Sequence, residues 1–373
     1  MGDAKIFTGP SGGDPPTQND SGAEADALEA DTLEADTLEA DGELAPVRRA
    51  HPWRARAVLA LRVAAALAIM YFIVVTTIEQ WDDVRATFAD LSWLALGLSL
   101  IAGVASLWTH ALAWRAIVNH LSHPLPVRTA APILLVGQLG KYLPGSVWAY
   151  VVQMELGRRA GVLRSKVFIA SLVVTGVSVT VGLLITAPGL GVAFRAADRA
   201  DHRTFALIAV WSAVILLPVA VVCCHPTVLT RLIGVTLRVM RRPGLDRPIT
   251  WRVVLASSLW VAVGYVLGGM HLWLLVQSRA MSGPSGIPGN VWAISMALSV
   301  SAFVIIAPSG IGVREFLIAV ALTGFGVPYP IGWGLALASR LIYTIADIVA
   351  AGASAVVGLR RIRHSAEEQH SHG

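Results

Sequence analysis

The apolar residues of this chain are gathered into long blocks separated by short polar stretches. Six blocks run Val58–Ile78, Leu91–Ala113, Val167–Ala187, Phe205–Cys224, Val253–Gln277 and Ile331–Gly358. Each supplies the roughly 20 residues that a helix needs to cross the hydrocarbon core of a bilayer. Two further apolar stretches are interrupted. Ala130–Val152 contains Gly137-Gln-Leu-Gly-Lys-Tyr-Leu-Pro-Gly145, and Val291–Val327 contains Ala307-Pro-Ser-Gly-Ile-Gly312. Glycine and proline together break a helix and release its peptide groups, which at membrane depth is tolerated only against protein or a water-filled cavity. The pattern predicts an all-α polytopic membrane protein with six full spans and two re-entrant or broken hairpins.

Composition agrees. The 373 residues are 55% hydrophobic and 14% charged, whereas a soluble domain carries about 25% charged residues. The charge is unevenly placed. Residues 1–47 hold twelve of the 24 acidic residues and one base, Lys5, and repeat a five-residue unit ending Leu-Glu-Ala-Asp. A period of five suits neither helix nor strand burial, and the acidity opposes collapse. This segment reads as a disordered acidic tail, either a solvated spacer or a docking arm. A membrane domain over 48–363 and a short polar tail over 364–373 complete the expected organisation. No nucleic-acid-binding motif accompanies the basic residues, and the adjacent Cys223 and Cys224 make neither a disulfide framework nor a metal site.

The basic residues orient the spans. Segments 48–56, 114–129, 153–166, 225–252 and 359–363 carry 19 Lys and Arg; segments 79–90, 188–204, 278–290 and 328–330 carry 5. Positive charge collects on the cytoplasmic side, so both termini are expected in the cytoplasm of a cell-membrane protein. Ala130–Val152 must then enter and leave on the cytoplasmic face. Val291–Val327 is either a matching hairpin from outside or two short spans. In the hairpin reading each half runs span, span, hairpin, span. Its three crossings would invert the second half relative to the first, an inverted repeat of the kind transporters use.

The chemistry concentrates at the two breaks. At the first, Lys141 stands among Gly137, Gly140, Pro144 and Gly145. Glycines let a headgroup approach the backbone, and unpaired N–H groups at a helix end attract anions. Lys141 therefore either holds a lipid phosphate or snorkels to the interface. At the second, Gly310 and Gly312 precede Arg314 and Glu315. Arg314 can grip a phosphate with its planar fork. Glu315 can balance Arg340 in the last span, and Arg340 and Asp347, seven apart, share one helix face. This charge network either binds ligand or locks hairpin to span. Arg158 and Arg159, beside Glu155, suit contact with anionic lipid at the cytoplasmic surface. His110 and His271 lie inside spans, where a lone histidine usually bonds helix to helix. No phosphate-binding loop, dinucleotide fingerprint, zinc motif or nucleophile elbow is present. Neither catalysis nor a cofactor is expected.

Gly140-Lys-Tyr-Leu-Pro-Gly145, followed by Glu155 and Arg158-Arg159-Ala-Gly161, resembles the first signature of the flippase-like transmembrane domain of lysylphosphatidylglycerol synthases. Pro308-Ser-Gly-Ile-Gly-Val-Arg-Glu315, followed by Ala338-Ser-Arg-Leu341, resembles its second, with Ser309 where glycine is common. The resemblance covers about residues 57–358. It implies translocation or handling of an anionic lipid or a lipid-linked precursor. The bifunctional synthases carry a large soluble transferase domain, and the chain ends soon after its last span, so a stand-alone member without synthase activity is expected. The alternative is a partner, catalytic or not, in membrane-lipid or lipid-linked glycan synthesis. A synthase or glycosyltransferase is the protein partner either reading allows, and the sequence is silent on oligomeric state.

The charge count makes a topological prediction. With Cys223 and Cys224 replaced by Ser, single cysteines in 188–204 and 278–290 should react with an impermeant maleimide on intact cells. Cysteines in 225–252 should be protected until the membrane is opened. The reverse pattern would overturn the orientation.

Overall fold

A computed structural model describes residues 70–142, 147–191, 194, 203–239, 245, 247–278, 286–302 and 312–371. All belong to one unit, His51–Gly373. Among the described residues there are twelve α-helices and no strand. In chain order they are α1 (Met70–Glu79), α2 (Trp81–Ala89), α3 (Trp93–Leu121), α4 (Val127–Gln138), α5 (Trp148–Arg159) and α6 (Arg164–Thr186). They continue with α7 (Arg203–Cys224), α8 (Pro226–Val239), α9 (Trp251–Ser278), α10 (Gly286–Ser301), α11 (Val313–Gly324) and α12 (Tyr329–Ser371).

Four helical segments are long and apolar enough to cross a membrane: Trp93–Leu121, Arg164–Gly189, Trp251–Gln277 and Tyr329–Gly358. They lie on four of the six predicted blocks. The block Phe205–Cys224 ends differently from expectation. Val210–Cys224 is followed at once by Pro226–Val239, bent 83° away, and the pair makes one further span only if taken together. Proline suits the first turn of a helix and cannot continue the preceding one, so Pro226 starts α8 in a new direction. The stretch 225–252, expected as a loop, therefore contains a helix that buries Ile233 and Leu237 while Leu232 and Val235 face outward. Likewise 79–90 is mostly α2, with Val84 and Thr87 buried. Of the first block, Val58–Ile78, only its end is described, as part of α1. The acidic tail and the final residues 372–373 lie outside the described residues.

Both interrupted stretches are pairs of short helices. The first is α4 and α5, of 12 residues each, joined through a 3₁₀ turn at Leu139–Tyr142. The second is α10, of 16 residues, and α11, of 12. At 1.5 Å per residue a 12-residue helix rises about 18 Å, too little for a core of about 30 Å.

Packing follows the small residues. The most extensive helix pair is α3 against α9. It is allowed by Gly264, where a Cβ would sit 2.6 Å from Thr109 Oγ1, and joined by the Ser106 hydroxyl, which donates to the Gly264 carbonyl at 2.8 Å. Outward positions are apolar: Trp93 is 88% exposed and Val356 73%. Such a surface fits lipid rather than water. Inside the first break, Gly140 is where the α5 backbone passes. A Cβ there would lie 2.6 Å from the Ala149 nitrogen and 2.7 Å from the Trp148 carbonyl carbon.

Gly140→Ala should accordingly force α4 and α5 apart, costing about 1–3 kcal/mol as an overpacked contact. The expected readout is a lower melting temperature of the detergent-purified protein with membrane insertion retained. An unchanged melt would show that the turn gives way freely.

Candidate functional site

Helix α12 organises the site. Arg340, Tyr343 and Asp347 are spaced three and four residues apart and so lie on one face. Each meets a side chain from a broken segment. Asp347, 5% exposed, accepts from the Lys141 ammonium at 2.5 Å and from the Tyr142 hydroxyl at 2.6 Å. Arg340 Nη1 donates to Glu315 Oε1 at 3.2 Å. The guanidinium of Arg314 lies 4.5 Å from the centre of the Tyr343 ring, a cation–π arrangement that strengthens when desolvated. Lys141 keeps about a third of its side chain exposed, whereas Arg314 and Glu315 are 8% and 2% exposed. Arg314 and Arg340 both lie within electrostatic reach of Lys141. The two breaks, some 170 residues apart in sequence, thus bring their charges to one helix.

The start of α11 explains why Glu315 is held so firmly. Gly312 has φ +82°, in the left-handed region open to glycine. Its N–H donates to Glu315 Oε2 at 2.6 Å, so one carboxylate caps the helix and pairs with Arg340. Arg314, next along, stacks on Tyr343 but leaves Nη2 buried without a hydrogen-bond partner among the described residues. A buried donor without an acceptor is costly, about 1–3 kcal/mol and more for a charged group. It marks where an acceptor is wanted.

Behind Tyr343 stands His271, fully buried, with ring centres 4.7 Å apart. Its Nδ1 lies 2.6 Å from Ser99 Oγ and 3.2 Å from the Ser99 carbonyl, and its Nε2 lies 2.9 Å from Ser339 Oγ. The carbonyl can only accept, so Nδ1 carries the proton and Nε2 accepts from Ser339. His271 therefore ties α9 to α3 and α12 and supports the ring on which Arg314 rests. Gly145 and Gly310 lie outside the described residues. Gly140 serves close packing of α5, as described above.

Arg158 and Arg159 are elsewhere, at the end of α5. With Arg164 they surround Glu155 at 2.9–3.0 Å. Hydrogen bonds from Arg158 first, then from Arg164 and Arg159, hold the Glu155 carboxyl down at about 2. Three guanidinium groups thus share one carboxylate at the end of this helix. Among the described residues, no group of three or more His, Cys, Asp or Glu is arranged to hold a metal.

A sequence model of the family described as lysylphosphatidylglycerol synthase TM region matches residues 59–351, well over half of the chain. The chain belongs to that family. Among curated proteins none matches it. Every described residue of the site lies inside the stretch matched by the lysylphosphatidylglycerol synthase transmembrane family, including the α12 face that receives both breaks. The protein is thus a multi-pass membrane protein of a family concerned with lipid handling.

The sequence left several roles open. Asp347 carried no assigned partner there, Tyr142 and Tyr343 were unremarked, and His271 was read only as a helix bonder. Tyr343 stands three residues beyond Arg340 on the same face, and that spacing is the signal that could have found it.

The arginine cluster yields a pH prediction. Because Glu155 titrates lower in the fold than its ordinary value, its contribution to stability is complete above about pH 4.5 and is lost as the pH falls through about 2. The gap in melting temperature between the wild type and Glu155→Gln should be constant from pH 8 to 5 and narrow in stronger acid. A gap that closes between pH 7 and 5 would contradict the assignment.

Proposed function

We propose that this protein translocates an anionic lipid, or a lipid-linked precursor, and that Lys141 and Arg314 take the anionic part of its headgroup. The buried Nη2 of Arg314, without an acceptor among the described residues, carries the reading. Charge adds to it: three cations, Lys141, Arg314 and Arg340, gather there with the carboxylates Asp347 and Glu315, a setting that suits a phosphodiester monoanion. An intramembrane cation is a ligand-site hypothesis by default. Lys141 would exchange Asp347 for the phosphate, a step that needs no gain or loss of net charge on the protein. Arg340 and Glu315 keep the start of α11 in place, and Gly145, Gly310 and Gly312 would let the headgroup come close to backbone.

In this reading the chain crosses the cytoplasmic membrane with both termini inside. The two halves are inverted repeats whose broken helices meet near the midplane. Arg158 and Arg159 gather anionic lipid at the inner surface, and residues 1–47 are a spacer outside the machinery. A separate synthase or glycosyltransferase would supply the lipid.

Each charge-assisted contact in a dry site is worth about 1.5–3 kcal/mol, or about ten- to a hundredfold in affinity or rate. Lys141→Ala and Arg314→Ala should therefore slow lipid transfer in reconstituted vesicles by about that factor while the proteins still accumulate. Arg314→Lys should also be impaired, since a point charge cannot replace the stacked fork. Wild-type transfer by both alanine variants would sink the assignment. Failure of both to accumulate would mean that the charges serve the fold.

A further inference from the structure

Beside Lys141 lies a cleft of about 310 Å³, walled by α4, α5 and α6. Its polar lining is Gln138, Lys141, Tyr150, Gln153, Ser171 and Thr175. Lys141 is the one charged residue among those that line it. The Gln153 amide is oriented: its Oε1 accepts from the Ser171 hydroxyl at 2.6 Å, and Ser171 in turn accepts from Trp114 Nε1 at 3.0 Å. With the carbonyl end fixed inward, the Gln153 NH₂ remains as a donor. The Gln138 amide and the Tyr150 hydroxyl have no partner among the described residues, and Thr175 Oγ1, which donates to the Ser171 carbonyl at 2.8 Å, can still accept. The lining thus offers several neutral donors and acceptors next to one cation.

We infer that this cleft binds the uncharged, hydroxyl-bearing part of a phospholipid headgroup, a glycerol, inositol or sugar unit, with the phosphate at Lys141. The inference rests on the proposed function and narrows its substrate class. Hydroxyl groups match amides and hydroxyls, which both donate and accept. No carboxylate lines the cleft. An aminoacylated headgroup matches less well, because its ammonium would lie beside the Lys141 cation with no carboxylate in the lining to offset the repulsion. Size agrees: the volume is at the low end for ligand pockets, about 300–1,000 Å³, as suits a single polyol. A ligand that cannot pair with these donors and acceptors leaves them to be desolvated without return, and binds less well.

The test uses the full-length protein in nanodiscs and dioctanoyl lipids that differ only in headgroup. Phosphatidylinositol should bind about tenfold or more tighter than phosphatidic acid and lysylphosphatidylglycerol. Gln138→Leu with Thr175→Val should bring phosphatidylinositol to the level of phosphatidic acid. Gln138→Glu should weaken phosphatidylinositol and tighten lysylphosphatidylglycerol, a gain that misfolding cannot imitate. Equal binding of phosphatidylinositol and phosphatidic acid, still weakened by Arg314→Ala, would overturn the cleft assignment and leave the lipid site standing. Binding of no anionic lipid above phosphatidylcholine would overturn both. Free myo-inositol 1-phosphate binding as tightly as the lipid would identify a soluble-phosphate site and overturn the lipid-headgroup inference.

Discussion

Inside a bilayer, water is not on hand to solvate a charge or a freed peptide group, and the partner must come from the protein. Most of the polar structure described here follows from that. Breaking two apolar stretches releases backbone groups, and the Gly312 N–H is taken up by Glu315. The carboxylate then needs a cation, which Arg340 provides. Lys141, placed in the other break, needs an anion, which Asp347 provides. Each satisfied group creates the next demand, and the sequence of demands ends at Arg314, whose Nη2 has no acceptor among the described residues.

The same constraint accounts for the neutral part of the core. His271, Ser99 and Ser339 form a closed set of donors and acceptors across three helices. Trp114, Ser171 and Gln153 form another, from α3 through α6 to α5. Apolar packing alone distinguishes poorly between helix registers in lipid, where tails are as apolar as side chains. Polar sets of this kind give each contact a definite alignment. They also hold the rings and amides that flank the charged residues in single orientations, as a binding site requires.

How much of this was legible depended on the range of the interaction. Block length marked α3, α6, α9 and α12, because crossing a membrane is a property of one segment. Glycine and proline marked both breaks for the same reason. The end of the block at Cys224 was legible, but the helix that Pro226 starts, bent 83° away, was missed, since its basic residues and the polar stretch after it read as a loop. Gly140 was legible as a need for space, but what fills that space is the backbone of Ala149. Pairings were harder still. Asp347 meets Lys141 across more than 200 residues, and nothing near either residue names the other. Gln153 and Ser171 carry no motif at all, and only the fold puts them at one cleft.

The spacing of the three groups on α12 has a mechanical consequence. At 1.5 Å per residue, Arg340, Tyr343 and Asp347 stand about 4.5 and 6 Å apart along the axis, close to one helical pitch each. Sliding either broken segment by one turn would move Arg314 from its aromatic ring to another guanidinium or to a carboxylate, and Lys141 from its carboxylate to a ring. The three positions differ in sign and kind, so the helix acts as a coded rail on which one alignment is favoured and its neighbours are penalised. Any motion that carries a headgroup past this helix must unseat both breaks from the rail, together or in turn, rather than slip along it.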